Sequence, residues 1–88
     1  MPDVVIYTTA FCPYCQQAKS LLASKDVTYT EIDVTMDSSK RREMANRAGS
    51  TSVPQIFVDG AHIGDCDEIH RLDHKGALDL MLGIAAPH

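Results

Sequence analysis

Apolar and polar positions along this chain change period several times, and each change marks an element. Val4 to Thr8 is apolar through its centre, the pattern of a strand covered on both faces. From Pro13 onward Cys15, Ala18, Leu21 and Leu22 recur at three- and four-residue steps, which predicts a helix with one buried face. Pro13 suits the first turn, where its missing N–H is not needed. Val27 to Val34, β-branched and holding Tyr29, reads as a second strand. Ser38 to Ala48 reads as a second helix with Met44, Ala45 and Ala48 inward and Gly49 placed to end it. Gln55 to Val58 and Ala61 to Ile63 flank Asp59-Gly60, a strong short-range hairpin signal. Asp65, with Glu68 following as in a capping box, opens a helix with Ile69 and Leu72 inward. Gly76 interrupts it, and Leu78, Met81 and Leu82 form a last short helix. The tail from Ile84 to His88 is expected to be loose.

The order is therefore β-α-β-α-β-β-α. A β-α-β crossover is right-handed, so the first two strands run parallel, and the hairpin makes the other pair antiparallel. An α/β fold follows, a small four-stranded mixed sheet with helices on both faces. The C-terminal end of the first strand delivers Cys12 to the sheet edge, where ligand crevices lie in such folds.

Composition narrows the function. The 88 residues are expected to form one domain, 1–88, with a modest core. Hydrophobic residues at 44% and charged residues at 23% fit a globular chain that folds without disulfide staples. A net charge of −4 argues against nucleic acid as a partner. No segment approaches a membrane span, and the start Met1-Pro2-Asp3 lacks a basic signal-peptide region. Three cysteines, two of them two residues apart, are not a secreted disulfide framework. The expected setting is the reducing cytoplasm and the expected state a monomer.

Cys12-Pro13-Tyr14-Cys15, at a strand-to-helix junction, is a redox constellation. A helix start presents unpaired N–H groups and the positive end of the dipole, which favour a thiolate at Cys12. Cys15, one turn on, is placed to displace what Cys12 captures. The competing reading is a zinc site in which Cys66 and His70, four apart, join the pair. No metal is expected, because the chain needs none to fold. Val53-Pro54 precedes an apolar strand; beside a cysteine pair it is expected to be cis, turning the backbone groups of Val53 outward for an extended peptide-like ligand. Gly64 to Glu68 reads as a capped helix start or as a ring of N–H groups for a carboxylate, with acidic side chains for an amine. Lys40-Arg41-Arg42 and Arg47 read as a solvated face, although cations at a helix start oppose the dipole and suggest an anionic ligand.

These residues together, Tyr7-Thr8, Cys12 to Cys15, Ser52 to Phe57 and Gly64 to Asp67, resemble a dithiol glutaredoxin of the bacterial type, over roughly Val4 to Leu82. The resemblance implies a thioredoxin-like fold and glutathione-dependent reduction of protein disulfides and glutathionylated proteins, with glutathione as reductant and no permanently bound cofactor. It implies that Cys12 is the nucleophile and Cys15 the resolving thiol. Ser52 and Val53 would hold the cysteinyl backbone of glutathione beside a cis Pro54. Cys66, through its N–H, and Asp67 would hold the γ-glutamyl end, Tyr14 would line the groove, and Arg41 would face the glycine carboxylate. The chain departs from the family in having Thr9 where a lysine is frequent, Asp65 where a second glycine is usual, and Ser52 in place of threonine. Thr9 leaves out a cation that supports the thiolate and a glutathione carboxylate, and Asp65 adds negative charge near the γ-glutamyl carboxylate, so weaker glutathione binding is expected, unless Asp65 is kept as a helix cap. An iron–sulfur or zinc carrier using Cys12, and a redoxin served by thioredoxin reductase, are the alternative functions. Cys66 is expected to pack as a small apolar residue, and His62, His70 and His74 to lie on the surface.

Overall fold

The computed structural model describes residues 2–84. Its elements are β1 (Val4–Thr8), α1 (Pro13–Ser24), β2 (Tyr29–Asp33), α2 (Ser38–Ala48), β3 (Gln55–Val58), β4 (Ala61–Gly64), α3 (Cys66–His74) and α4 (Ala77–Met81). The sheet runs in the order β2-β1-β3-β4. β1 pairs parallel with β2, from Val4↔Tyr29 to Thr8↔Asp33, and antiparallel with β3, from Val4↔Val58 to Tyr7↔Gln55. β3 and β4 form the expected hairpin, with a register shift that leaves Ile63 unpaired between Gly64 and His62.

Alternation along the central strands divides the core between two layers. Val4, Ile6, Ile56 and Val58 pack with Ala18 and Leu22 of α1, Ile69 of α3, and Leu78 and Leu82 at α4. Tyr7 and Phe57 point to the opposite face and pack with Val34 and Met44. The wholly buried Ile6, Leu22, Ile56, Ile69 and Leu78 contribute about 1.5–3 kcal/mol each. Lys25, at the end of α1, fastens α3 and α4: its Nζ lies 2.6 Å from Asp73 Oδ1 and 2.6 Å from Asp79 Oδ1. The Asp79 contact is ionic, since that oxygen lacks an aligned hydrogen bond.

Two expectations are corrected. β2 starts at Tyr29 because Asp26 is left-handed (φ 56°) and the Val27 N–H turns back to Leu22 O at 3.2 Å; Val27 belongs to the turn that leaves α1. Ile84 is not loose. Gly83 (φ 72°) donates to Leu80 O at 3.2 Å and Ile84 to Asp79 O at 2.8 Å, the paired bonds of a Schellman cap, and Ile84 packs on the core. The remainder of the tail, residues 85–88, lies outside the described residues.

Candidate active site

β1 ends in the buried Thr8, whose hydroxyl donates to Glu31 Oε2 at 2.7 Å. The connection to α1 is short and held from the side: Ala10 N–H donates to Thr35 Oγ1 at 2.7 Å. Phe11 is left-handed (φ 60°), its side chain wholly in solvent. This bend sets Cys12 at the N-cap of α1 with extended backbone (φ −108°, ψ 106°) and Pro13 in the first turn. A cap needs an acceptor, and here it is sulfur: Cys12 Sγ accepts the Cys15 N–H at 3.2 Å.

The two thiols then differ sharply. Cys12 is partly exposed and Cys15 is completely buried. Burial, followed by the hydrogen bond and charge of Cys12, pushes the Cys15 thiol up to about 12; the Thr9 backbone and Lys19 oppose this only in part. Cys15 therefore stays protonated at neutral pH.

The Val53-Pro54 bond is cis, and Val53 O lies 4.0 Å from Cys12 Sγ. The neighbouring cleft, of about 250 Å³, is lined by Tyr14, Ser52, Val53, Pro54, Asp65, Cys66 and Asp67. Of the residues expected at the site, the structure brings these together beside Cys12, with Cys15 beneath. Arg41 does not line the cleft; its guanidinium donates to Thr51 O at 3.1 Å, one residue before Ser52.

The far wall is the start of α3. Gly64 (φ 141°) leads into it, and a Cβ there would meet Glu68 Cβ at 2.5 Å, so glycine is required. Asp65 is the N-cap, its Oδ1 accepting the Glu68 N–H at 3.0 Å. Cys66 is buried as expected, and burial first, then Asp67 and Asp65, raises its thiol above the ordinary range. Its sulfur lies 3.5 Å from His70 Nδ1, which is also 2.7 Å from Cys66 O; His70 is thus half-buried rather than a surface residue. Among the described residues no three His, Cys, Asp or Glu side chains converge on a common point as metal ligands would.

One polar side chain outside the expected set, Gln55, reaches Ser52 at the cleft, and a second, His62, stands behind Gln55. Gln55 Nε2 donates to Ser52 O at 3.0 Å and Ser52 Oγ at 3.2 Å, and Gln55 Oε1 meets His62 Nε2 at 2.7 Å. The one sequence signal was Gln55 itself, a polar residue opening an apolar strand.

A family model described as glutaredoxin matches residues 4–63. The chain belongs to the glutaredoxin family. As a glutaredoxin it is a glutathione-dependent thiol-disulfide oxidoreductase with a thioredoxin-like fold. It is similar to glutaredoxin 3 of Escherichia coli (strain K12), with 50% identity over 82 residues that cover 93% of this chain and 99% of that one. The solution structure of the Brucella melitensis glutaredoxin superposes with a TM-score of 0.84 at 43% identity, covering 98% of this chain and 96% of that one. The crystal structure of a buckwheat glutaredoxin–glutathione complex superposes with a TM-score of 0.87 at 26% identity, covering 96% and 83%.

Proposed function

We propose that Cys12 is the catalytic nucleophile of this glutaredoxin and Cys15 its resolving thiol. The contrast in exposure supports this assignment above all: of the pair, Cys12 is partly exposed next to the cleft, while Cys15 is wholly buried with a raised pKa. A buried, protonated thiol does not compete for the first attack and becomes useful once Cys12 carries a disulfide.

With a glutathionylated protein, Cys12 thiolate attacks the glutathione sulfur, the protein thiolate leaves, and Cys12 holds glutathione. A second glutathione thiolate attacks that adduct, releasing glutathione disulfide and restoring Cys12. With a protein disulfide, Cys12 displaces one protein thiolate and forms a mixed disulfide. Cys15 gives up its proton and displaces the other, leaving a Cys12–Cys15 disulfide. Two glutathione molecules reduce this to the dithiol and depart as one glutathione disulfide. Potentials general to the family, about −200 to −230 mV, lie beside the cytosolic glutathione poise, so the pool drives the cycle in either direction.

The cleft supplies the binding side. Ser52 and Val53, next to Pro54, pair with the cysteinyl backbone of glutathione. The Cys66 N–H and Asp67 hold the γ-glutamyl end at the start of α3, Tyr14 forms one wall, and Arg41 approaches the glycine carboxylate from beside Thr51. Glutathione is consumed, so no resident cofactor is required. The site lies within one chain, which suits a monomer acting on glutathionylated and disulfide-bonded proteins in the reducing cytoplasm. Among the described residues no helix is long and apolar enough to cross a membrane.

Cys12→Ser should abolish both reactions. Cys15→Ser should retain reduction of glutathione mixed disulfides and lose reduction of protein disulfides. Both are read in a coupled assay with glutathione reductase, and full activity in Cys12→Ser overturns the assignment.

A further inference from the structure

Ser52 lies in the irregular stretch between α2 and β3, with no helix or strand of its own to hold it. Its position is set by side chains. The Ser52 N–H donates to Ser50 Oγ at 3.1 Å, and from within the fold comes Gln55. Gln55 is 2% exposed, so both ends of its amide need partners. Ser52 O can only accept, and Gln55 Nε2 lies 3.0 Å from it, which decides the orientation of the amide. Gln55 Oε1 then faces His62 Nε2 at 2.7 Å, and an amide oxygen can only accept. His62 must present an Nε2–H.

The histidine ring is itself held. His62 is the cross-strand partner of Phe57, and the two ring centroids lie 5.1 Å apart at 48°. Phe57 is clamped by the Arg47 guanidinium, 4.2 Å from its centroid, and by an edge contact with Tyr7 at 5.5 Å. Arg47 also donates to Tyr7 Oη at 3.0 Å, and Tyr7 Oη donates to Glu43 at 2.9 Å. A continuous set of contacts thus runs from α2 through the hairpin to Ser52.

We infer that His62 and Gln55 are positioning residues that hold the Ser52–Val53 rim in the conformation that receives glutathione. The inference rests on the proposed role of this rim as the binding edge. Neither residue is placed to touch the cysteine sulfurs, so their effect falls on substrate capture and not on the chemical steps.

The test uses the full chain, with His62→Phe, which keeps a ring against Phe57, and His62→Gln, which restores an N–H donor. Loss of one hydrogen bond should raise KM for glutathione about fivefold in His62→Phe and leave kcat within about twofold, while His62→Gln returns KM to within about twofold of the parent. In the absence of glutathione, NMR order parameters at Ser52 and Val53 should fall in His62→Phe and recover in His62→Gln. An ordered rim with parental KM in His62→Phe overturns the inference. A loosened rim with unchanged KM overturns the binding role of the rim on which it rests. The parent protein offers a check that needs no variant: neutral His62 should show the Nε2–H tautomer in imidazole nitrogen spectra, and an Nδ1–H tautomer overturns the relay.

Discussion

Asp65 has two roles that pull in opposite directions, and they can be separated. Its Oδ1 accepts the Glu68 N–H at 3.0 Å, capping α3, while its charge stands in the wall of the cleft beside Cys66, whose N–H is proposed to meet a carboxylate. Asp65→Asn keeps a capping oxygen and removes the charge. An exposed charge contact is worth about 1 kcal/mol or less, so KM for glutathione should fall about two- to fivefold. The melting temperature should stay within about 2 °C of the parent, since asparagine caps as well as aspartate. Asp65→Ala should gain the same affinity and lose about 1 kcal/mol of stability, or roughly 4–8 °C for a domain of this size. The assay is steady-state kinetics over a range of glutathione concentrations, repeated at high salt, where the difference between parent and Asp65→Asn should shrink. An unchanged or higher KM in Asp65→Asn refutes the charge argument, and an unchanged melting temperature in Asp65→Ala refutes the cap.

Other outcomes follow from the same contacts. Thr9→Lys should lower KM for glutathione several-fold by restoring a cation next to the dithiol, measured in the same kinetics. Lys25→Met leaves Asp73 and Asp79 facing without their cation; because Asp73 is one-third exposed the loss should be about 1–2 kcal/mol, read by urea unfolding. The carboxylates of Asp73 and then Asp79 against its ammonium raise the Lys25 pKa above 10.5, so the stability it supplies is complete below 10.5 and fades as pH rises through the raised value; in Lys25→Met this alkaline loss should diminish. Glu31 is opposite in sign. The Thr8 hydroxyl, then Lys19, holds its carboxyl below 4.5, so its contribution is complete above 4.5 and is lost as pH falls through the depressed value; Glu31→Gln should flatten this acid limb in unfolding curves.

The strands and helices were legible wherever periodicity was strong. Ile6 and Ile56, Ala18 and Leu22, and Ile69 and Leu78 take the inward positions that their spacing dictates. The dithiol and the wall from Asp65 to Asp67 were legible because each is a local motif, and the cis Val53-Pro54 bond because a cysteine pair accompanies it. Contacts between distant elements were not. Lys25 meets Asp73 and Asp79 only after three helices pack. The pairing of Gln55 with His62 depends on a hairpin register that includes the unpaired Ile63, which alternation alone does not reveal. Ile84 looked like tail because its anchoring comes from a backbone motif at Gly83, and a glycine near a chain end reads equally well as a terminator. The role of Arg41 came only from the family resemblance, and its Thr51 contact sets it beside the cleft rather than in its lining.

In the proposed mechanism Cys12 alone captures the glutathionyl group while Cys15 waits beneath it. The most direct measurement is intact and peptide mass spectrometry of Cys15→Ser after treatment with glutathione disulfide. One glutathione per chain is expected, located on Cys12 and released by further glutathione. An adduct on Cys66, or none while glutathione-dependent activity persists, would contradict it.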